Sequence, residues 1–368
     1  MPGSAPPVSS RRLSRPLWLS QPGRLSGMTP PIAIGVLALL LVMIVVTFWS
    51  GGDTSTLGDR LTPVSAAILD HVRHGQDFYS AAIDALRENG RPLRPVVLAV
   101  PLPALPVTLA LLPPRIGQWV LVLLGLAVVA AWSRRCWPLF EGRGPRALAI
   151  VLLVAGLYPA LDRTMVAVPE VWAALLIALS LVQRRPDAMP TAVALGLAAM
   201  ILSPVALLHA LLMGFLAWRA GAEREATGWI GATAVAMILY AAHAHRLNAM
   251  VGPIDPAIPS PIALQSPGEW LAAIASASGL GVLPVAIALP LAVLAALGWV
   301  HWRQPVARRA GITLAVYALF GLVTGAPAFA LAVAPLLFLG VVFAPDAVRE
   351  LIAAARERRR ITVTRVVR

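Results

Sequence analysis

Apolar runs of about 15 to 20 residues recur along the whole chain, separated by short arginine-bearing breaks. The runs are continuous and do not alternate polar with apolar, which predicts membrane helices and excludes strands of a β-barrel. Spans are expected at about 32–49, 116–132, 147–161, 166–182, 227–243, 281–301, 310–324 and 328–344. The segment 190–218 is too long for one span and breaks at Ser203-Pro204, so it reads as two helices joined by a tight turn. The expected fold is therefore an all-α polytopic membrane protein of about ten transmembrane helices.

One apolar segment is left out of that count. Between 93 and 114 stand Pro95, Pro101, Pro103, Pro106, Pro113 and Pro114. Prolines remove backbone donors that lipid cannot replace, so this stretch should lie in the interface or re-enter. That choice puts every arginine cluster on the side of the N-terminal tail, in agreement with the positive-inside rule. Both termini are then cytoplasmic, in a bacterial inner membrane. The long loops 50–115 and 244–279 are periplasmic and carry juxtamembrane helices. Three parts follow: a disordered tail at 1–28, a transmembrane domain at 29–344 and a basic tail at 345–368.

Composition agrees. The chain is 58% hydrophobic, against about 45–50% for soluble domains. Net charge is +13, and all 30 basic residues are arginine. Because the arginines sit between apolar runs, they read as topology signals and not as a nucleic-acid surface. Arg11, Arg12, Arg15 and Arg24 precede the first run like a signal peptide, but Phe48-Trp49-Ser50-Gly51 is a poor cleavage site. The run is read as an uncleaved anchor. A single cysteine, Cys136, excludes an internal disulfide.

The first long loop is where charge gathers. Six of the 17 acidic residues lie there: Asp53, Asp59, Asp70, Asp77, Asp84 and Glu88. Tyr79, Ala82, Ile83 and Leu86 recur at helical spacing and predict an amphipathic helix resting on the membrane surface, ended by Asn89-Gly90. Asp84 and Glu88 belong to its wet face. Asp77 heads the helix, where an acid can serve the helix dipole or chemistry. Asp70, His74 and Asp77 share a face roughly, but Gly75 interrupts it. No metal site is assigned, a divalent ion stays open and no other cofactor is called for. His243 and His245 read as an interfacial cap at the outer end of their helix.

The order of these features suggests a family. An anchor helix is followed by Asp-Phe-Tyr-Ser-Ala-Ala-Ile-Asp-Ala-Leu-Arg-Glu-Asn-Gly-Arg-Pro-Leu-Arg-Pro at 77–95, a proline-rich piece and many spans. This resembles the GT-C superfamily of integral membrane glycosyltransferases, in particular its bacterial mannosyl- and arabinosyltransferase-like branch. The run Gly-Leu-Ala-Ala-Met-Ile-Leu-Ser-Pro-Val-Ala-Leu at 196–207 is similar to the double-helix turn of that branch. By motif the resemblance covers about 75–106; by organisation it covers most of the chain. It implies a polyprenyl-phosphate-linked sugar as donor, a lipid or envelope-glycan acceptor, contact with membrane lipids and no nucleic acid. Asp77 matches the first-loop acid and Asp162 a second acid. Glu170, in Val-Pro-Glu-Val-Trp, is the alternative, since an acid inside a span is costly unless it faces a cavity or a partner. Arg91, Arg94, Arg163 and Arg246 are candidates to hold the phosphate, and Tyr79, the aromatic beside the acid, completes the substrate-binding set.

The chain departs from the superfamily at two places. Ser203 stands where a basic residue often precedes the turn proline, and the turn Thr324-Gly325-Ala326-Pro327-Ala328-Phe329 is nearly featureless. Two other classes therefore stand beside the transferase: a transporter or flippase for a lipid-linked glycan, and a non-catalytic scaffold for envelope-glycan assembly.

Overall fold

The computed structural model describes residues 16–49, 57–94, 100–184, 188–253, 255–257 and 262–356. Asp53, Pro95, Pro259, Pro261, the arginines at 11, 12, 15 and 185, and the strip 357–368 lie outside them. Among the described residues the chain is helical, with two isolated bridges and no strand.

The first helix, α1 (Pro30–Trp49), is apolar on every side, and only a small part of it is buried. Two helices of the first loop follow, α2 (Leu57–Arg73) and α3 (Phe78–Glu88), then a short α4 (Ala104–Leu111). Next come α5 (Pro114–Cys136), α6 (Arg143–Gly156), α7 (Pro169–Gln183), α8 (Met189–Leu202), α9 (Val205–Arg219) and α10 (Glu223–Asn248). The second long loop holds α11 (Pro267–Ser276). The chain closes with α12 (Val285–His301), α13 (Pro305–Thr324), α14 (Pro327–Leu337), a 3-10 stretch at Phe338–Phe343 and α15 (Ala344–Arg356).

Among the described residues five helices are long and apolar enough to cross a membrane: Pro30–Thr47, Pro114–Leu139, Glu223–Asn248, Pro305–Thr324 and Pro327–Arg356. The other expected spans also coincide with helices, but shorter ones. At 1.5 Å per residue the 14 residues of α8 cover about 21 Å, well short of the ~30 Å hydrocarbon layer. Among its described residues the proline-rich segment contributes the eight-residue α4, about 12 Å long, which is too short for a span.

At the centre stands α7, buried along nearly its whole length and packed by α5, α8, α9 and α14. A helix with apolar residues all round is one that has neighbours all round. Trp132 of α5 donates from its indole nitrogen to the Ala178 carbonyl of α7 at 3.0 Å. Ser203 at the α8–α9 turn is fully buried, and the Tyr317 hydroxyl donates to Val205 O there at 2.9 Å.

Two expectations change. The face of α3 does not rest on a membrane surface. Phe78, Ala82, Ile83 and Leu86 are buried in a protein cluster with Ile68 of α2, Leu93, Val100 and Leu247 of α10. The amphipathic pattern asked for an apolar partner, and other helices supply it. At the other end, part of the segment expected as a disordered tail is held in place. The amides of Leu17, Trp18 and Leu19 donate to the Asp346 carboxylate, and Gly23 N donates to Glu350 at 2.8 Å. Leu25 packs with Ala347 and Leu351, so α15 is clamped between this segment and α1.

Candidate functional site

The outer layer is built by two glycine turns. Gly75 (φ 89°) ends α2, where Gln76 N donates back to His71 O at 3.1 Å. Gly90 (φ 60°) ends α3, with Arg91 N to Leu86 O at 2.8 Å, the closing bond of a left-handed helix cap. Between them Asp77 caps α3: its Oδ2 accepts from Tyr79 N at 3.0 Å and Ser80 N at 3.3 Å. The carboxylate is exposed. Its geometry is that of a cap facing water, not of an acid in a cavity.

Asp162 sits in a comparable way. It caps the 3-10 turn Arg163–Ala167, accepting from Thr164 N at 2.9 Å and Thr164 Oγ1 at 2.8 Å. Arg163 is exposed. α2 lies against this turn, so the first loop and the start of α7 share one side of the bundle.

The next group belongs to α10. His243 is buried; its ring is 5.6 Å from that of Tyr79 and 6.5 Å from that of Phe78. Its Nε2 lies 3.2 Å from Val100 O, and because a carbonyl only accepts, Nε2 carries the proton. Nδ1 is then a buried acceptor without a partner among the described residues. One turn outward, the Arg246 guanidinium stands 5.8 Å from the centre of the Tyr79 ring, a cation–π contact. One turn inward, the Tyr240 hydroxyl donates to Met200 O at 2.8 Å, near the end of α8.

Glu170 approaches from the other side. It stands in the first turn of α7, half-buried, within electrostatic reach of the Tyr240 phenol. No ion pair joins it to Arg163 among the described residues. The buried Ser203 Oγ, at the end of α8 that Tyr240 holds, also lacks a partner there. The first turn of α7, the end of α8 and α10 thus form one junction at Tyr240: Glu170 acts on its phenol, its hydroxyl holds Met200 O, and the buried Ser203 Oγ and His243 Nδ1 on the same helices have no partner among the described residues, which is costly away from water.

The second long loop closes over this layer. Arg87 Nη2 lies 3.3 Å from both oxygens of Asp255, and Arg94 Nε donates to Asp255 O at 2.9 Å. Leu93 N and Arg94 N donate to Pro256 O. Arg94 thus holds the two loops together. Arg91 is exposed beside it.

Of the expected residues, Tyr79 and Arg246 meet directly, with Asp77 two positions away from the pair. Glu170 sits on the inner side of the same junction, while Asp162 and Arg163 lie at the 3-10 turn before α7. Tyr240 and His243 were not expected as members. Their spacing along α10 with Arg246, three residues apart each time, puts all three on one helical face. No group of three or more potential metal ligands occurs among the described residues. No protein family, no curated protein and no solved structure matches the chain.

Proposed function

We propose that the protein is a membrane glycosyltransferase of the GT-C kind, with about ten spans and both termini cytoplasmic. It would move a sugar from a polyprenyl-phosphate donor to a lipid or envelope-glycan acceptor on the periplasmic side. The observation that carries this reading is Glu170, a half-buried carboxylate without an ion-pair partner among the described residues, at the junction of the outer helices and the bundle. In the reading, Glu170 takes the proton of the acceptor hydroxyl. The acceptor oxygen bonds to the anomeric carbon as its bond to the donor phosphate breaks, and the phosphate leaves with the electron pair. Arg246 and Arg91 would face that anion. Asp77 then serves as the cap that orients Tyr79.

A second reading, the non-catalytic scaffold, is favoured by one observation: the acid that the family resemblance singles out, Asp77, is exposed and engaged with backbone amides. The flippase reading asks for polar groups through the middle of several spans and gains no comparable support.

Glu170→Gln and Asp77→Asn separate these. Asparagine still caps a helix, so Asp77→Asn removes charge and keeps the fold. In a deletion strain, envelope glycan composition is measured by mass spectrometry. Glu170→Gln should lose the product at normal expression, while Asp77→Asn should restore it. Full restoration by both variants would leave the scaffold.

A further inference from the structure

A second feature shares no lining residue with the Glu170 junction. It is an apolar groove of about 640 Å³ between α1, α11, α12 and α13. Leu40, Ile274, Leu297 and Ile312 line its depth, and Leu39 (60% exposed) and Val300 (57% exposed) stand at its open rim. α1 and α13 are both long enough to span a membrane, so the groove opens sideways where lipid chains lie. Along α13 it runs from Arg308 to Leu322, about 21 Å at 1.5 Å per residue.

One end of this groove is charged. Arg24 and Arg308 belong to its lining, and Arg303 stands close enough to act on Arg24. All three are exposed, and none has a carboxylate within ion-pair distance among the described residues. Glu350 is within electrostatic reach of Arg303, but it is buried and accepts from Gly23 N. Partial burial first, then the charges of Arg308 and Arg303, hold the Arg24 guanidinium below its ordinary value. Basic pockets at the ends of membrane helices bind anionic headgroups.

We infer that this groove is a binding site for an anionic phospholipid, with its phosphate held by Arg24 and Arg308 and one acyl chain lying along α13. The volume falls within the ~300–1,000 Å³ of pockets that enclose a drug-sized molecule. That suits one chain and a glycerol phosphate better than the much longer chain of a polyprenyl phosphate. The inference does not depend on the transferase reading, because lipid retention is measured without any sugar donor.

The test is native mass spectrometry of the purified full-length chain, supplied with equal amounts of phosphatidylglycerol and phosphatidylcholine. Phosphatidylglycerol should be retained about tenfold better, and the double variant R24Q/R308Q should erase the preference. Gly311→Leu should reduce retention of both lipids. Gly311 lines the groove and a Cβ there meets nothing nearer than 3.9 Å, so the added side chain fills the groove without disturbing the helix. Neither inorganic phosphate nor a short polyprenyl phosphate should displace the bound phospholipid. Equal retention of the two lipids, or a preference that survives R24Q/R308Q, overturns the site. Displacement by polyprenyl phosphate overturns the phospholipid as its occupant, and displacement by phosphate alone overturns the role of the groove.

Discussion

Arg309 Nη1 stands 2.7 Å from Glu225 Oε1, at a point where both side chains are buried. The other oxygen of Glu225 takes Arg184 Nη2 at 2.5 Å. One carboxylate thereby ties the end of α7 to the first turns of α10 and α13. Two arginines converge on a single acid, so its loss leaves a buried guanidinium unpaired.

Removing one partner of a buried ion pair costs about 3–5 kcal/mol. Arg184 keeps some access to water, which puts Glu225→Gln near the lower end, about 3 kcal/mol. Thermal unfolding in detergent should show a clear drop in Tm. An unchanged Tm would mean that the three helices are held by packing alone.

The latch between the two outer loops should respond to acid. Gly252 N donates to Asp255 at 2.8 Å, and Arg87 faces the same carboxylate; the amide first and the guanidinium second hold it below the usual range. A lowered folded-state pKa contributes stability above the unfolded value of about 3.9, and that stability is lost as pH falls through the lowered value. The amides of Leu93 and Arg94, which donate to Pro256 O, report the latch. Their exchange protection should be flat at mildly acidic to neutral pH and fall below about 3.9. Asp255→Asn should remove that pH response; a response that persists in the variant belongs to another group.

α12 meets the Phe338–Phe343 stretch backbone to backbone. A Cβ on Gly298 would collide with Gly340 O, and one on Gly340 with Ala295 O. Small residues allow such contact between membrane helices. Gly298→Ala should destabilise by about 2 kcal/mol, as overpacking does in a tight core. Gly311→Ala, with nothing nearer than 3.9 Å, is the control and should not. Equal melting of the two variants would refute the close packing.

Much of the layout was legible because its signals are local. Apolar runs give helices, Asn89-Gly90 stops α3, Ser203-Pro204 breaks α8 from α9, and the prolines around α4 keep it short. The candidate site was legible in pieces. Tyr79, Arg246 and Glu170 stood out by charge, aromaticity or an unusual setting. His243 looked like a surface cap because nothing in its neighbourhood along the chain reveals Val100 above it. The tie between Glu225 and its two arginines has no local signal, since Arg184 and Arg309 are 41 and 84 residues away along the chain. Asp77 drew attention by position, and its geometry as an exposed cap is a matter of side-chain placement that composition does not carry.

The chain by itself determined that this is a helical protein with helices long and apolar enough to cross a membrane and a charged first loop, because runs of apolar residues need no partner to be recognised. The tertiary structure decided which apolar faces meet protein and which stay open. Lipid tails are as apolar as leucine, so hydrophobicity cannot distinguish the two. Only packing shows that the face of α3 is covered by α2 and α10, and that the groove beside α1 is left open by the described residues.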